Sequence, residues 1–319
     1  MIGYTLQRLL YVVAVVWVMS LLIFAVTQLL PGNVAYAILG QYATNTQIAE
    51  LEHLLGLNDP WYAQYGRWLI GLLHGDFGQS ITMQRPVGPL IFDAFGRSAV
   101  LAVIALALVA AIGTWLGVHS ATHQGKLSDR VLTLAQYVLI AVPEFFWAIL
   151  AIILFSVWLG WLPATGYTPI GESGVGDWFV HLILPVATLV GGLIAHVSRL
   201  TRSSMLETLR SPYILMARAK GLPRGLVLRR HALPNALLPT ITVLAVDVGI
   251  LIGGVVVVET IFAYPGLGRL LIYAIEHRDI PLLQAGMLLV TAVYALANLG
   301  ADLLYAFVNP RIRYGRNAG

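Results

Sequence analysis

The sequence predicts an all-α integral membrane protein with six transmembrane helices, and two observations lead there. Of its 319 residues, 58% are apolar and only 11% are charged, against about 25% charged in an ordinary soluble domain, and the mean hydropathy is +0.80. Six separate stretches also reach the roughly 20 apolar residues that a helix needs to cross about 30 Å of hydrocarbon. A soluble chain of this length could not bury so much apolar surface, because the buried fraction grows only slowly with size.

The first stretch, Leu9 to Leu30, carries no charge. It is longer than the roughly 7–15 residues of a signal-peptide core, so it is expected to be a retained helix. The second is Ser98 to Val118, with no Asp, Glu, Lys or Arg between Arg97 and Lys126. The third lies within Val131 to Trp161 and holds Glu144 after Pro143, a residue that can kink a helix. The fourth is Phe179 to Ser198. The fifth is Ala236 to Val258, with Asp247 inside, and the sixth is Leu282 to Val308, with Asp302 near its end. The chain thus divides into an N-terminal transmembrane helix (1–30), an external loop region (31–97), a core of five helices (98–309) and a cytoplasmic tail (310–319).

Lys and Arg placement sets the orientation. With the N-terminus inside, one face collects Arg8, Lys126, Arg130, Arg199, Arg202, Arg210, Arg218, Lys220, Arg224, Arg229, Arg230, Arg311, Arg313 and Arg316, and the other only Arg67, Arg85, Arg97, Arg269 and Arg278. Both termini are expected in the cytoplasm. The net charge of +4 and pI near 9.4 then reflect this asymmetry, and nucleic acid is not an expected partner.

Two loops are long enough to carry function. The external one has helix starts at Thr46 and at Asp59-Pro60, where Asp can cap and Pro suits the first turn. Trp61, Tyr62, Tyr65 and Trp68 follow. They read as an interfacial aromatic belt or as a docking surface for an external partner, with Trp61, Tyr65 and Trp68 as candidates. The internal loop, 199–235, holds eight Lys or Arg and one acid, Glu207. Within it lies a punctuated short helix: Ser211 as N-cap, Pro212 in the first position, Gly221 as the left-handed terminator and Pro223 beyond. Arg218 and Lys220 favour the C-terminal dipole. Tyr213, Ile214, Leu215, Met216 and Ala217 make it apolar. A basic loop on anionic lipid would not require such a helix; a helix seated in a partner's groove would.

Recognisable catalytic chemistry is absent. Gly125-Lys126 is followed by Leu127 and lacks the upstream glycine of a phosphate-binding loop, so nucleotide is not bound by that route. With no cysteine there are no disulfides or thiolate sites. His119 and His123 have the i, i+4 spacing of a metal pair but flank a membrane boundary, and no metal site is expected. Carboxylates within spans are functional candidates. Asp247, followed by the small residues Gly249 and Gly253 that permit close helix approach, and Glu144 either line an aqueous pathway or are buried and hydrogen-bonded between helices.

The stretch Ala217-Arg218-Ala219-Lys220-Gly221-Leu222, followed by His231-Ala232-Leu233-Pro234-Asn235-Ala236-Leu237-Leu238-Pro239, resembles the cytoplasmic motif of ABC importer permeases. The resemblance is nearest to the dipeptide, oligopeptide and nickel permease family. Leu30-Pro31-Gly32, Leu55-Gly56-Leu57, Gly75-Asp76-Phe77-Gly78, Leu162-Pro163-Ala164-Thr165-Gly166-Tyr167, Thr201-Arg202-Ser203-Ser204-Met205 and Glu259-Thr260-Ile261-Phe262 with Pro265-Gly266-Leu267-Gly268 extend it along the chain. It implies a type I importer, MetI-like permease core with an added N-terminal helix and external loop, in a bacterial inner membrane. The partners it implies are a second similar permease, two ATPase subunits that bind ATP and Mg (none in this chain), and an extracytoplasmic solute-binding protein. The short helix would be the coupling helix, with Tyr213, Ile214, Met216, Ala217, Arg218, Ala219, Lys220 and Gly221 meeting the ATPase. Where the broader motif has Glu-Ala-Ala, this chain has Leu215, Met216 and Ala217, which makes the seating more apolar. Di- and oligopeptides are the implied solutes, with nickel, a metal chelate or a glutathione-like solute as the alternative. A secondary transporter is the competing class, but the inverted repeats such carriers show are not evident. A membrane-embedded enzyme would need a convergent catalytic set that the spacing does not supply.

Overall fold

In the computed structural model the chain is helical throughout its membrane stretches. Residues 2–29, 43–55 and 58–308 are described; Leu30-Pro31-Gly32, most of Leu55-Gly56-Leu57, and the 310–319 tail with Arg311, Arg313 and Arg316 lie outside them. Hydrocarbon offers no water to a free N–H or C=O, so each span must satisfy its own backbone. We number the helices α1 Ile2–Leu29, α2 Asn45–Leu55, α3 Trp61–Leu73, α4 Val87–Thr122, α5 Leu127–Ala141, α6 Glu144–Trp158, α7 Ile170–Leu209, α8 Pro212–Ala219, α9 Arg224–Ile261, α10 Leu267–Glu276 and α11 Ile280–Val308. Five of them contain helices long and apolar enough to cross a membrane, and α5 with α6 forms a sixth, broken span.

The third expected span is therefore not one straight helix. α5 and α6 meet at 103°, because Val142 is extended and Pro143, with no N–H to donate, restarts the helix. The fourth and fifth spans run past their expected ends, as 174–209 and 224–261, so the 199–235 connection is almost entirely helical rather than a loop. A π-helical turn, Val227–Ala232, occupies the start of α9 just ahead of Pro234. Pro234 cannot donate to a carbonyl four residues back, and the wider winding accommodates that gap.

Two compact units form, one mainly of Ala99–Tyr264 and the other of Leu6–Ser98 with Pro265–Leu296. In the first, α7 packs against α4, α5, α6 and α9. Small residues set the α4–α7 approach: a Cβ on Gly113 would meet Val197 at 3.0 Å, and one on Gly117 would meet Thr201 Cβ at 2.5 Å and the Ser198 carbonyl at 2.6 Å. Hydrogen bonds cross the same unit from Gln136 Nε2 to Ser198 Oγ and between Thr201 and Thr240. The Ala164-Thr165-Gly166-Tyr167 and Thr260-Ile261-Phe262 segments meet here: the Gly166 N–H donates to the Phe262 carbonyl at 2.9 Å, and the rings of Tyr167 and Tyr264 stack edge to face at 5.2 Å.

In the second unit Val87, Ile91, Leu267, Ala274 and Leu282 make a small core. Gly75-Asp76-Phe77-Gly78 is a turn: the Asp76 carboxylate accepts the Gly78 N–H, and Gly78 has φ +78°, which a side chain would strain. Asp279, fully buried before α11, clasps the next loop by accepting from Ser80 Oγ, Thr82 Oγ1 and the Thr82 N–H. Burial pushes its carboxyl up, but these hydrogen bonds outweigh burial and hold it below the ordinary value.

Two expectations about helix starts are corrected. α2 starts one residue before the expected Thr46, with Thr44 as its cap in a reciprocal box with Gln47. α3 has no side-chain cap, because the Asp59 carboxylate pairs with Arg67 instead. Gly253, expected at a tight crossing, has open space around it, whereas Gly254 lies against Glu144.

Two predictions arise here. Gly117→Leu must push backbone away from backbone and should cost at least ~2–3 kcal/mol, read as a lower thermal unfolding midpoint in detergent; an unchanged midpoint would contradict the crossing. Asp279, with its folded pKa depressed, contributes stability that is fully present above its unfolded pKa of about 4 and is lost as pH falls through the folded value. The difference in unfolding midpoint between wild type and Asp279→Asn should therefore be constant from pH 7 to about 5 and shrink below about pH 4.

Candidate functional sites

The short helix α8 sits between the fourth and fifth spans. Gly221, at φ +78°, ends it as expected: the Gly221 N–H donates to the Arg218 carbonyl and the Leu222 N–H to that of Ala217, the paired bonds of a Schellman stop. Its start differs from expectation. Ser211 is the N-cap by backbone shape, but its Oγ donates to the Thr208 carbonyl of α7 rather than accepting from α8, which fixes the corner between the two helices.

One face of α8 belongs to the chain's own interior. Ile214, 0% exposed, and Ala217 pack with Ala121, Met205, Val227, Ala232 and Ala236. These two residues, expected at a partner contact, instead seat α8 on its own chain, since the helical period turns positions 214 and 217 to one side. The outer face presents Tyr213, Leu215 at 54% and Met216 at 60% exposure, with Arg218, Ala219 and Lys220 also exposed. The same helical period places Leu215 on this outer face beside Met216.

A part-buried ion pair joins α5 to α7. The Asp129 carboxylate of α5 accepts from Arg202 Nε at 2.7 Å and Arg202 Nη2 at 2.9 Å, from Ser120 Oγ and from the Gly125 N–H. It locks the α4–α5 turn to α7 about three helical turns ahead of α8, and it accounts for Arg202 in the Thr201–Met205 motif. Nothing in the sequence joins residues 129 and 202; only the antiparallel return of the chain does.

The intramembrane carboxylates lie near one another but differ in surroundings. Asp247 is 0% exposed, and its Oδ1 is hydrogen-bonded to His196 Nδ1 of α7 at 3.1 Å. Glu144 lines a cavity of about 370 Å³ at the α5–α6 bend, with Trp147, Thr188, His196, Arg199, Ile250 and Gly254 among its neighbours. Glu144 Oε1, Trp147 Nε1 and Asp247 Oδ2 are buried without a hydrogen-bond partner.

The aromatic face of α3 is divided. Tyr65 and Trp68 pack on Phe24 of α1, at 5.5 and 5.8 Å between ring centroids, and the Tyr65 hydroxyl bonds Ser20. They are occupied within the chain, because α1 offers an aromatic and a hydroxyl at matching height. Trp61, 65% exposed, and Tyr62 remain open. His119 and His123 stack at 4.3 Å, and His123 Nδ1 turns to the His119 carbonyl; no group of three metal-ligating side chains occurs among the described residues.

Comparison with known proteins assigns this bundle of membrane spans to a class. Residues 112–314 match the model of the binding-protein-dependent transport system inner membrane component, and residues 1–111 match its N-terminal companion. A probable peptide ABC transporter permease of Sinorhizobium fredii is 39% identical over 98% of this chain and 99% of that one. The dipeptide transport system permease DppB of Alkalihalophilus pseudofirmus is 38% identical over 98% and 100%, and the glutathione transport system permease GsiC of Salmonella paratyphi A 36% over 98% and 100%. The inward-facing MetNI methionine ABC transporter shares the fold, with a TM-score of 0.55 at 16% identity over 69% of this chain and 96% of that one. The chain belongs to the binding-protein-dependent transport system inner membrane component family. It is a multi-pass permease subunit of an ABC importer of the bacterial inner membrane, with a type I, MetI-like core.

Asp129 is buried but Arg202 is 26% exposed, so Asp129→Asn, which weakens charge-assisted hydrogen bonds and leaves the guanidinium partly hydrated, should cost about 1.5–3 kcal/mol. The expected readout is a large drop in unfolding midpoint, with Arg202→Met in the same background recovering part of it; an Asp129→Asn protein as stable as wild type would show that the clamp is not essential.

Proposed function

We propose that this permease forms half of the translocation pore of an ATP-driven importer of di- and oligopeptides, and that α8 is the element through which ATPase subunits drive it. The observation that carries the reading is the outer face of α8. Tyr213, Leu215 and Met216 are apolar and exposed on a helix fixed at both ends, and a rigid apolar ridge of this kind calls for a groove to cover it. Lys and Arg placement supports a cytoplasmic location for α8 and both termini, where ATPases holding ATP and Mg would bind.

A second, similar permease completes the pore. An extracytoplasmic solute-binding protein docks on the opposite face, for which Trp61 and Tyr62 are the open aromatics. Closure of the ATPases on ATP draws the two coupling helices together and rocks the spans, so the pathway alternates between its inward and outward openings. The ligand-dependent states differ in their contacts, as any such switch requires. α8 moves with α7 through the corner that Ser211 fixes, and the Asp129–Arg202 clamp ties α5 to that movement; the cavity that α5 and α7 help to wall also holds Glu144 of α6. The peptide assignment rests on relatives named for peptide and dipeptide transport; the glutathione-named relative supports a small peptide-like solute as the second reading.

The double substitution Leu215→Asp with Met216→Asp tests the coupling role. Both side chains are exposed, so the permease itself should keep its unfolding midpoint. ATPase subunits should be lost on affinity purification from the membrane, and ATP-dependent uptake should vanish. Retention of the ATPases with unchanged uptake would rule out α8 as the docking element.

A further inference from the structure

The cavity at the α5–α6 bend is lined mostly by apolar side chains, yet it holds polar groups that nothing in the chain satisfies. Glu144 Oε1 and Trp147 Nε1 are both buried and unpartnered. They stand three residues apart on α6, which places them on one face with Cβ atoms about 5–6 Å apart, and both line the cavity. They are not hydrogen-bonded to each other. A carboxylate and an indole N–H left unpaired in low dielectric are each costly, and such groups within a membrane mark pathways or ligands.

The surroundings keep the carboxylate available. A Cβ on Gly254 of α9 would lie 2.9 Å from Glu144 Oε2 and 3.0 Å from Oε1, so the absent side chain leaves the room that the carboxylate occupies. His196 and Thr188 line the same wall, but His196 is engaged with Asp247 and the Thr188 hydroxyl with the Leu184 carbonyl. The free hydrogen-bonding capacity is thus one anionic acceptor and one donor close together. Arg199 adds a cation farther along α7, about 16 Å from Thr188 at 1.5 Å per residue.

We propose that this cavity is an intramembrane binding site for the amino-terminal end of the transported peptide. The ammonium is the counter-charge of Glu144, and the first carbonyl accepts from the indole N–H of Trp147. An α-amino group and the carbonyl of the same residue are three bonds apart, so a single residue bridges the two side chains. An ammonium also supplies three donors to a carboxylate that has none, and a charge-assisted bond of this kind is among the stronger ones. The carboxyl end of a short extended peptide would extend toward Arg199. This inference rests on the peptide-import reading.

The test uses the complete transporter, with its ATPases and binding protein, in proteoliposomes, and trialanine as the solute. Glu144→Gln keeps the shape and removes the charge. It should lower uptake per ATP hydrolysed by about tenfold or more, the loss of one charge-assisted hydrogen bond, with the unfolding midpoint and binding-protein-stimulated ATP hydrolysis retained. Trp147→Phe should give a smaller loss in the same direction. Wild-type uptake with an unchanged Glu144→Gln variant would overturn the site while leaving peptide import standing, and would mark the cavity as filled by lipid or water only. Failure of the wild type to import trialanine or longer alanine peptides would remove the peptide reading and this site with it. If Glu144→Gln does not assemble, Gly254→Ala, which crowds the carboxylate from α9, must lower uptake per ATP in the same way; normal uptake there overturns the proposal.

Discussion

The larger unit depends on how closely α4 can lie against α7. In lipid there is no hydrophobic gain in bringing two apolar helices together, so association relies on packing and on interhelical hydrogen bonds. Gly113 and Gly117 let the backbone of α4 reach Val197, Ser198 and Thr201 with nothing between. That contact fixes the depth of α7, and α7 in turn contacts α5, α6, α8 and α9. Both candidate regions of this unit, the α8 seat and the α5–α6 cavity, hang from the same helix.

Two stretches of α7 do different chemistry. Toward its C-terminus the Asp129–Arg202 pair ties α7 to α5, and the Ser211 hydroxyl on the Thr208 carbonyl fixes the corner to α8. Ile214 and Ala217 are spent on that seat, which leaves Tyr213, Leu215 and Met216 free to meet another protein. Farther back along α7, the stripe from Thr188 to Arg199 forms one wall of the cavity. The α8 seat and the cavity wall thus share one continuous helix.

Several of the segments that make the chain recognisable have physical reasons that appear only on folding. Gly166 and Tyr167 dock on Phe262 and Tyr264. Gly75 to Gly78 form a turn beside the loop that Asp279 holds. Gly221 was readable in advance, because a left-handed stop needs only local geometry. Ser211 and Asp59 were misread as side-chain caps for the opposite reason: each has a competing partner, the Thr208 carbonyl and the Arg67 guanidinium, and local pattern does not rank such competitors. Tyr65 and Trp68 were legible as an aromatic face but not as one already covered by Phe24.

By itself the sequence determined the membrane class, the approximate placement of the spans, the existence and C-terminal stop of α8 and the family, because each follows from composition, helical length or short-range geometry along one stretch of chain. Only the tertiary structure decided the pairing of Asp129 with Arg202, the inward face of α8, the 103° bend and the gathering of Glu144, Trp147 and Gly254 around one cavity. Those depend on which helices return beside one another and at what depth, and that is set by many weak interhelical contacts acting together rather than by any single segment.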